Sequence, residues 1–245
     1  MTLPPVRAIF FDAGNTLLYP RMDELAHDLT EQGYSADAED FYAAERGGKQ
    51  KLDEWLWPQI RAGQVPRQVD GYYWNEYLRV LMERIGAPEE HRPRLMRHVG
   101  ERFRDIQTWS RVYPETAPFL DSLRAQGFYL GVISNSVGTI EEQLRRVDLA
   151  RRFDTILDSA IVGVEKPHPE IFELALARAG TKASEAVFVG DTYATDVGGA
   201  RLAGLHGVLI DRVGAYPRAE SPRITSLPEL ERILKRAPGE GRRGI

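Results

Sequence analysis

Val6-Arg7-Ala8-Ile9-Phe10-Phe11 runs straight into Asp12-Ala13-Gly14-Asn15. The first six residues are mostly apolar and rich in β-branched and aromatic side chains, and the next four have turn chemistry. The stretch therefore predicts a strand buried on both faces that ends at Asp12. Runs of the same kind recur at 128–133 (FYLGVI), 155–162 (TILDSAIV), 186–190 (AVFVG) and 206–210 (HGVLI). Helical patterns lie between them. Thr139 and Glu142 have capping-box spacing ahead of an Ile140, Leu144, Val147 stripe. Pro169 opens a second helix carrying Ile171, Phe172, Leu174, Ala175 and Leu176, and Gly180 stands where a terminating glycine belongs. Strand and helix alternating at this cadence predict an α/β fold with a mostly parallel sheet.

From about Pro20 to Gln107 the cadence breaks. No strand pattern is visible there, and helical segments are punctuated by Gly33, Gly47-Gly48, Gly63, Pro66 and Gly86. One segment carries Trp74, Leu78, Leu81 and Ile85 at helical spacing. The division expected is a core of residues 1–19 and 108–236, an inserted helical module over 20–107, and a frayed Gly- and Arg-rich tail over 237–245.

At 245 residues, the length suits one large domain, or a core with a smaller companion, at roughly 150 residues per domain. The net charge of −4 offers no electrostatic footprint for nucleic acid. With no cysteine at all, thiol nucleophiles, thiolate metal sites and disulfides are excluded. No stretch approaches the about 18 apolar residues of a membrane span, and no signal peptide is visible, so a cytoplasmic location is expected. No P-loop is present, and no G-x-G-x-x-G lies between a predicted strand and a predicted helix, the setting a dinucleotide site requires.

In an open parallel sheet, sites form beyond the carboxyl ends of the strands. Asp12 follows the first predicted strand and Ser134 with Asn135 the second. Lys166 lies past the third, and Asp191 and Asp196 past the fourth. Capping alone explains a single strand-end aspartate, but it requires neither a lysine nor opposed acids.

FFDAGNTL, VISNS, GVEKPHPEIF and VGDTYATDVGGARLAG resemble, in order, the four motifs of the haloacid dehalogenase-like superfamily. The resemblance covers about 1–20 and 108–212, and the inserted segment is similar to the family's helical cap in position and length. It implies a Rossmann-like three-layer core, a mobile cap, and covalent catalysis with Asp12 as nucleophile. Ser134, Asn135 and Lys166 would hold the transferred group. Asp12, Asp191 and the backbone carbonyl of Gly14 would bind Mg²⁺, with Asp196 orienting Lys166 or a metal-bound water from behind. The chemistry is consistent, because a carboxylate attacks an anionic phosphoryl group only where positive charge offsets the repulsion. Mg²⁺ is a hard cation suited to such oxygen donors.

One departure stands out. Phosphatases of this superfamily usually read D-x-D in the first motif, the second aspartate protonating the leaving group, whereas this chain has Gly14. A positioned acid is commonly worth about 10²–10⁴ in rate. His168 is a candidate substitute, although its place at a helix entry also reads as structural. A positive φ at Gly14 would be a separate reason for glycine there.

The expected activity is a Mg²⁺-dependent phosphatase acting on a small phosphorylated metabolite through an aspartyl-phosphate, as a monomer or homodimer, with no nucleic-acid or membrane partner. The alternatives are a metal-independent 2-haloacid dehalogenase and a weakly active or non-catalytic binding protein of the same fold. Family dehalogenases have an uncharged residue at the position of Asp191 and a tyrosine at that of Phe172. A phosphonate hydrolase needs a cap lysine as a Schiff base, and the cap lysines Lys49 and Lys51 carry no supporting motif. Arg46 falls near the position of a substrate-clamping cap arginine. The aromatic group Trp55, Trp57, Tyr72, Tyr73, Trp74 and Tyr77 reads as cap core, or in part as a substrate-facing wall.

Overall fold

Ala8, Ile9, Phe10 and Phe11 have no measurable exposure and form β2, a strand covered on both faces. The computed structural model describes residues 3–66 and 72–236. Five further strands join β2 in one parallel sheet: β3 (Tyr129–Ser134), β4 (Thr155–Asp158), β5 (Ala186–Gly190), β6 (His206–Ile210) and β7 (Arg223–Ile224). Their order is β4-β3-β2-β5-β6-β7, so the chain steps outward from β2 to one side and then returns to build the other. β1 (Pro5–Val6) and β8 (Lys235–Arg236) pair in parallel as a separate ribbon.

Alternate side chains of the sheet feed two cores. Ile9, Phe11, Leu130, Val132, Val187 and Val189 pack with α5 (Thr116–Ala125) and α6 (Ile140–Arg146). Ala8, Phe10, Ile133 and Phe188 pack on the opposite side with α8 (Pro169–Ala179), where the Phe172 and Phe188 rings meet at 5.2 Å. Helix, sheet and helix make the three-layer α/β core that the sequence predicts.

Two local expectations need correction. The apolar run at 155–162 is a strand only to Asp158, after which Ser159–Val162 coil into a short helix, α7, closed by Gly163 at φ 77°. The capping box at Thr139 and Glu142 does not form, since Thr139 makes no side-chain capping bond. Asp158 caps that helix from the neighbouring strand, its carboxylate accepting from the Gly138 and Ile140 N–H groups at 3.0 and 3.2 Å. A buried charged acceptor bonds these N–H groups more strongly than a hydroxyl would. The helix over Pro169–Ala179 begins and ends as predicted, with Gly180 left-handed at φ 59°.

Between β2 and β3 lie α1 (Met22–Glu31), α2 (Ala38–Arg61), α3 (Tyr72–Arg84) and α4 (Arg92–Arg104). They share a core of their own, including Leu29, Phe41, Tyr77, Leu81, Leu95 and Val99, that contains no strand residue. The chain enters and leaves this bundle side by side: Tyr19 and Arg111 exchange backbone bonds of 2.8 and 3.1 Å, and the Arg21 N–H donates to Thr108 at 2.9 Å. The predicted tail over 237–245 lies outside the described residues.

Gly47-Gly48 does not punctuate the bundle as expected but sits inside the 24-residue helix α2. The reason is the α2–α3 crossing. A Cβ on Gly48 would stand 2.9 Å from the Tyr73 carbonyl oxygen, and one on Gly47 2.8 Å from Val80. Glycine costs about 1 kcal/mol in a helix interior, and here close packing offsets that cost. Gly48→Ala is therefore expected to destabilise the fold by about 1–3 kcal/mol through overpacking against backbone, although alanine is the better helix former. Urea unfolding reads this directly; an unchanged or higher midpoint would show that the crossing yields.

Candidate active site

The strand ends converge as the sequence implies. Asp12 follows β2 at the centre of the sheet, with Ser134 at the tip of β3 on one side and Asp191 after β5 on the other. Lys166 reaches in from the turn before α8. Asp196 comes from a wide π turn over Tyr193–Gly198 that continues as α9 (Gly199–Leu202). All five line one cavity of about 900 Å³ between the sheet edge and the helical bundle.

The Lys166 ammonium donates to Asp12 Oδ1 at 2.6 Å and to Asp196 Oδ1 at 2.7 Å, while Asp196 Oδ2 accepts the Thr192 N–H at 2.9 Å. Each of the three side chains is buried. One oxygen each from Asp12, Asp191 and Asp196 lies within 4.8 Å of the others. Burial pushes the Asp12 carboxyl up to about 7, with help from Asp196 and Asp191 and against the pull of Lys166. Burial works against the Lys166 charge too, but its two carboxylate partners outweigh it and hold the ammonium above the ordinary lysine range.

Lys49, without a supporting motif in the sequence, proves to belong to this cluster. It descends from α2 with 1% exposure and places Nζ 2.9 Å from Asp191 Oδ2 and 2.5 Å from Glu45 Oε1. Glu45 and Lys49 are four residues apart on one helix face, a spacing common to exposed ion pairs, so the pattern alone does not indicate that this pair points into the core. Burial raises the Glu45 carboxyl above its usual range despite Lys49. Four carboxylates thus share two ammonium groups, leaving two negative charges when all are ionised.

The remaining candidates divide between the cavity and its surroundings. Both side-chain ends of Asn135 are engaged with the Lys166 backbone, Nδ2 donating to its carbonyl at 2.9 Å and Oδ1 accepting its N–H at 2.8 Å. Asn135 therefore holds the lysine segment in place while lining the cavity with its second amide N–H unused by these two bonds. Ser134 lies at the cavity wall, and its hydroxyl has no hydrogen-bond partner among the described residues. Arg46 donates to the Val213 carbonyl at 3.1 Å and pairs with Glu39, which leaves it outside the cavity lining. His168 caps α8, its Nδ1 accepting the Glu170 N–H at 3.3 Å, and likewise does not line the cavity. Gly14 lines the cavity without a positive φ; the left-handed residue of this turn is Asn15, at φ 52°. Trp57 stacks on Tyr193 at 4.5 Å, whereas Tyr73 and Trp74 line the cavity.

A carboxylate flanked by a buried lysine and two further acids at a switch point of a parallel sheet lies where enzymes of this architecture place their chemistry. The chain matches the family model of haloacid dehalogenase-like hydrolases over residues 6–204 and belongs to that family. It is similar to the glyceraldehyde 3-phosphate phosphatase of Methanopyrus kandleri, 31% identical over 92% of each chain. It also resembles the ribulose-1,5-bisphosphate 5-phosphatase of Halopiger xanaduensis, 30% identical over 83% of this chain and 84% of the relative. Among solved structures, a haloacid dehalogenase-like phosphatase from Thermococcus onnurineus superposes with TM-score 0.56 at 26% identity, covering 93% of this chain and 97% of that one. A dehalogenase superposes with TM-score 0.60 at 25% identity over 94% and 97%. No described helix is long and apolar enough to cross a membrane.

Two outcomes are expected in the presence of chelator. Lys49→Met should cost about 3–5 kcal/mol by leaving Glu45 and Asp191 without their cation, and adding Glu45→Gln should recover a good part of that. A double variant no more stable than the single in urea would show that the pair is not the reason. The second outcome concerns pH. Because the native Asp12 carboxyl titrates near 7 rather than near 3.8, the native state binds the proton more tightly. The resulting stability is complete below about pH 4 and is lost as pH rises through about 7. Asp12→Asn should flatten that part of the stability profile between pH 5 and 8; an unchanged slope would place the titration elsewhere.

Proposed function

We propose that the chain is a phosphatase that cleaves small phosphate monoesters through a phosphorylated Asp12. The observation that carries the reading is the buried cluster of Asp12, Lys166, Asp191 and Asp196 on one cavity wall. A magnesium ion fits this donor set: the acids present hard oxygens, and the cluster has two unbalanced negative charges for a divalent cation to neutralise. Asp12, Asp191 and the Gly14 carbonyl would hold it, and when bound it supplies positive charge against the phosphate dianion. The phosphatase names of the two full-length relatives support the same activity.

The residues divide the work as follows. Arg97 and Arg104 line the cavity and have no ion-pair or hydrogen-bond partner among the described residues, so they attract an anionic ester. Lys166 and the free Ser134 hydroxyl donate to phosphoryl oxygens, and Asp196 and Asn135 fix Lys166 in place. A carboxylate oxygen of Asp12 attacks phosphorus, and the phosphorus–ester oxygen bond breaks with its electron pair departing on oxygen. Water then cleaves the acyl phosphate, releasing inorganic phosphate and regenerating Asp12. The helical bundle forms part of the cavity wall through Leu52, Leu56, Tyr73 and Leu78 and would limit the access of bulk water during these steps.

Asp12→Asn is expected to reduce phosphate release below a hundredth of wild type while the chain stays folded; retention of more than a tenth would overturn covalent catalysis at Asp12. Chelator should abolish turnover and Mg²⁺ restore it, with Asp191→Ala requiring much more metal for half-maximal rate. Chelator-resistant halide release from 2-haloacids would move the assignment to a dehalogenase.

A further inference from the structure

Aromatic rings line the same cavity as the carboxylates, and one of them stands beside Gly14. A Cβ built on Gly14 would lie 3.4 Å from Trp109 Cζ3 and 3.7 Å from Cη2, so the benzo ring of Trp109 stands over the backbone position at which related phosphatases carry their acid. Trp109 is fixed in that place, its Nε1–H donating to the Phe103 carbonyl at 2.9 Å. Trp74 and Phe103 continue the wall, their rings 4.8 Å apart and 6.4 and 6.1 Å from Trp109. All three line the same cavity as Asp12. Trp74 keeps 37% of its surface exposed and Trp109 is half-buried, whereas Phe103 is buried at 8%, so the aromatic surface that the cavity meets is mainly that of the two indoles.

Resting on the phosphatase reading above, we infer that Trp109, Trp74 and Phe103 form a subsite for an aromatic leaving group and that the substrates are aryl phosphates. Two independent features select the same chemistry. The rings offer stacking and edge-to-face partners to a planar aryl group. A phenolate also needs no proton in order to leave, which suits a turn that carries Gly14 and an indole in place of a carboxylic acid. The balance is simple: Asp12 oxygen bonds to phosphorus, the phosphorus–oxygen bond to the aryl group breaks, and the electron pair leaves on the phenolate, which takes its proton from solvent. Hydrolysis of the aspartyl-phosphate follows as above.

The test separates stacking from leaving-group acidity. Phenyl phosphate and 1-naphthyl phosphate are compared with hexafluoroisopropyl phosphate, an alkyl ester of comparably acidic alcohol, on the full chain with Mg²⁺. The expected result is a kcat/KM at least about tenfold higher for the aryl esters, expressed mainly in KM. Trp109→Leu should narrow that gap and Trp109→Phe should largely keep it. On wild type alone, 1-naphthol should inhibit competitively where cyclohexanol does not, a readout that survives if Trp109→Leu fails to fold. Equal kcat/KM for aryl and fluoroalkyl esters, or equal inhibition by the two alcohols, would overturn the aromatic subsite and leave the phosphatase reading standing. Release of phosphate from none of the esters would overturn the phosphatase reading itself.

Discussion

One ammonium group between two buried carboxylates is the constraint on which the site depends. Lys166 cannot be moved from Asp12 and Asp196 without stranding three ionisable groups away from water, and such a loss commonly costs several kcal/mol. The neighbouring architecture serves that contact. Asn135 clips the lysine backbone to the tip of β3, and the wide turn after β5 delivers Asp196 from below. Six parallel strands bring these segments to one edge, because every strand in the sheet ends on the same side. Charges stabilise a reacting group best when they are fixed before the substrate arrives, and burial fixes them here.

The helical bundle contributes charge as well as a wall to the cavity. Through Lys49 and Glu45 it adds a second ion pair to the core's acids, so bundle and sheet share one electrostatic cluster across their boundary. The same helix carries Gly47-Gly48 against α3. The close packing of two bundle helices and the placement of a charge over Asp191 are thus properties of one 24-residue segment. A change in the bundle core has a direct route to the charge balance of the site.

Much of this was legible from residues alone, for a definite reason. Buried parallel strands must be continuously apolar and their ends lie at the site edge, so Asp12, Ser134 and Asp191 can be read from position, while Lys166 and Asp196 follow in the connections that leave β4 and β5. What escaped depended on partners distant in sequence. Asp158 caps a helix that begins near residue 140, Lys49 meets an acid 142 positions away, and Arg46 is drawn to a carbonyl at Val213. Local pattern gives no sign of such pairings. Gly47-Gly48 misled because glycine marks a helix break or a close crossing with equal force. The two-residue strands at the sheet edge and at β1 are too short to leave a period.

The paired entry and exit of the bundle has a mechanical meaning. With Tyr19 bonded to Arg111 and Arg21 to Thr108, the two connections form a single strap, so the helices cannot slide over the sheet on one connection alone. A rigid displacement of the bundle is then a rotation about that strap, like a door on one hinge. Residues far from the axis sweep long arcs, and residues on it barely move. Trp109 sits within the strap, whereas Lys49 lies out on the leaf. In such a rotation the indole beside Gly14 would stay with the door frame, and the ammonium over Asp191 would be the latch that has to part.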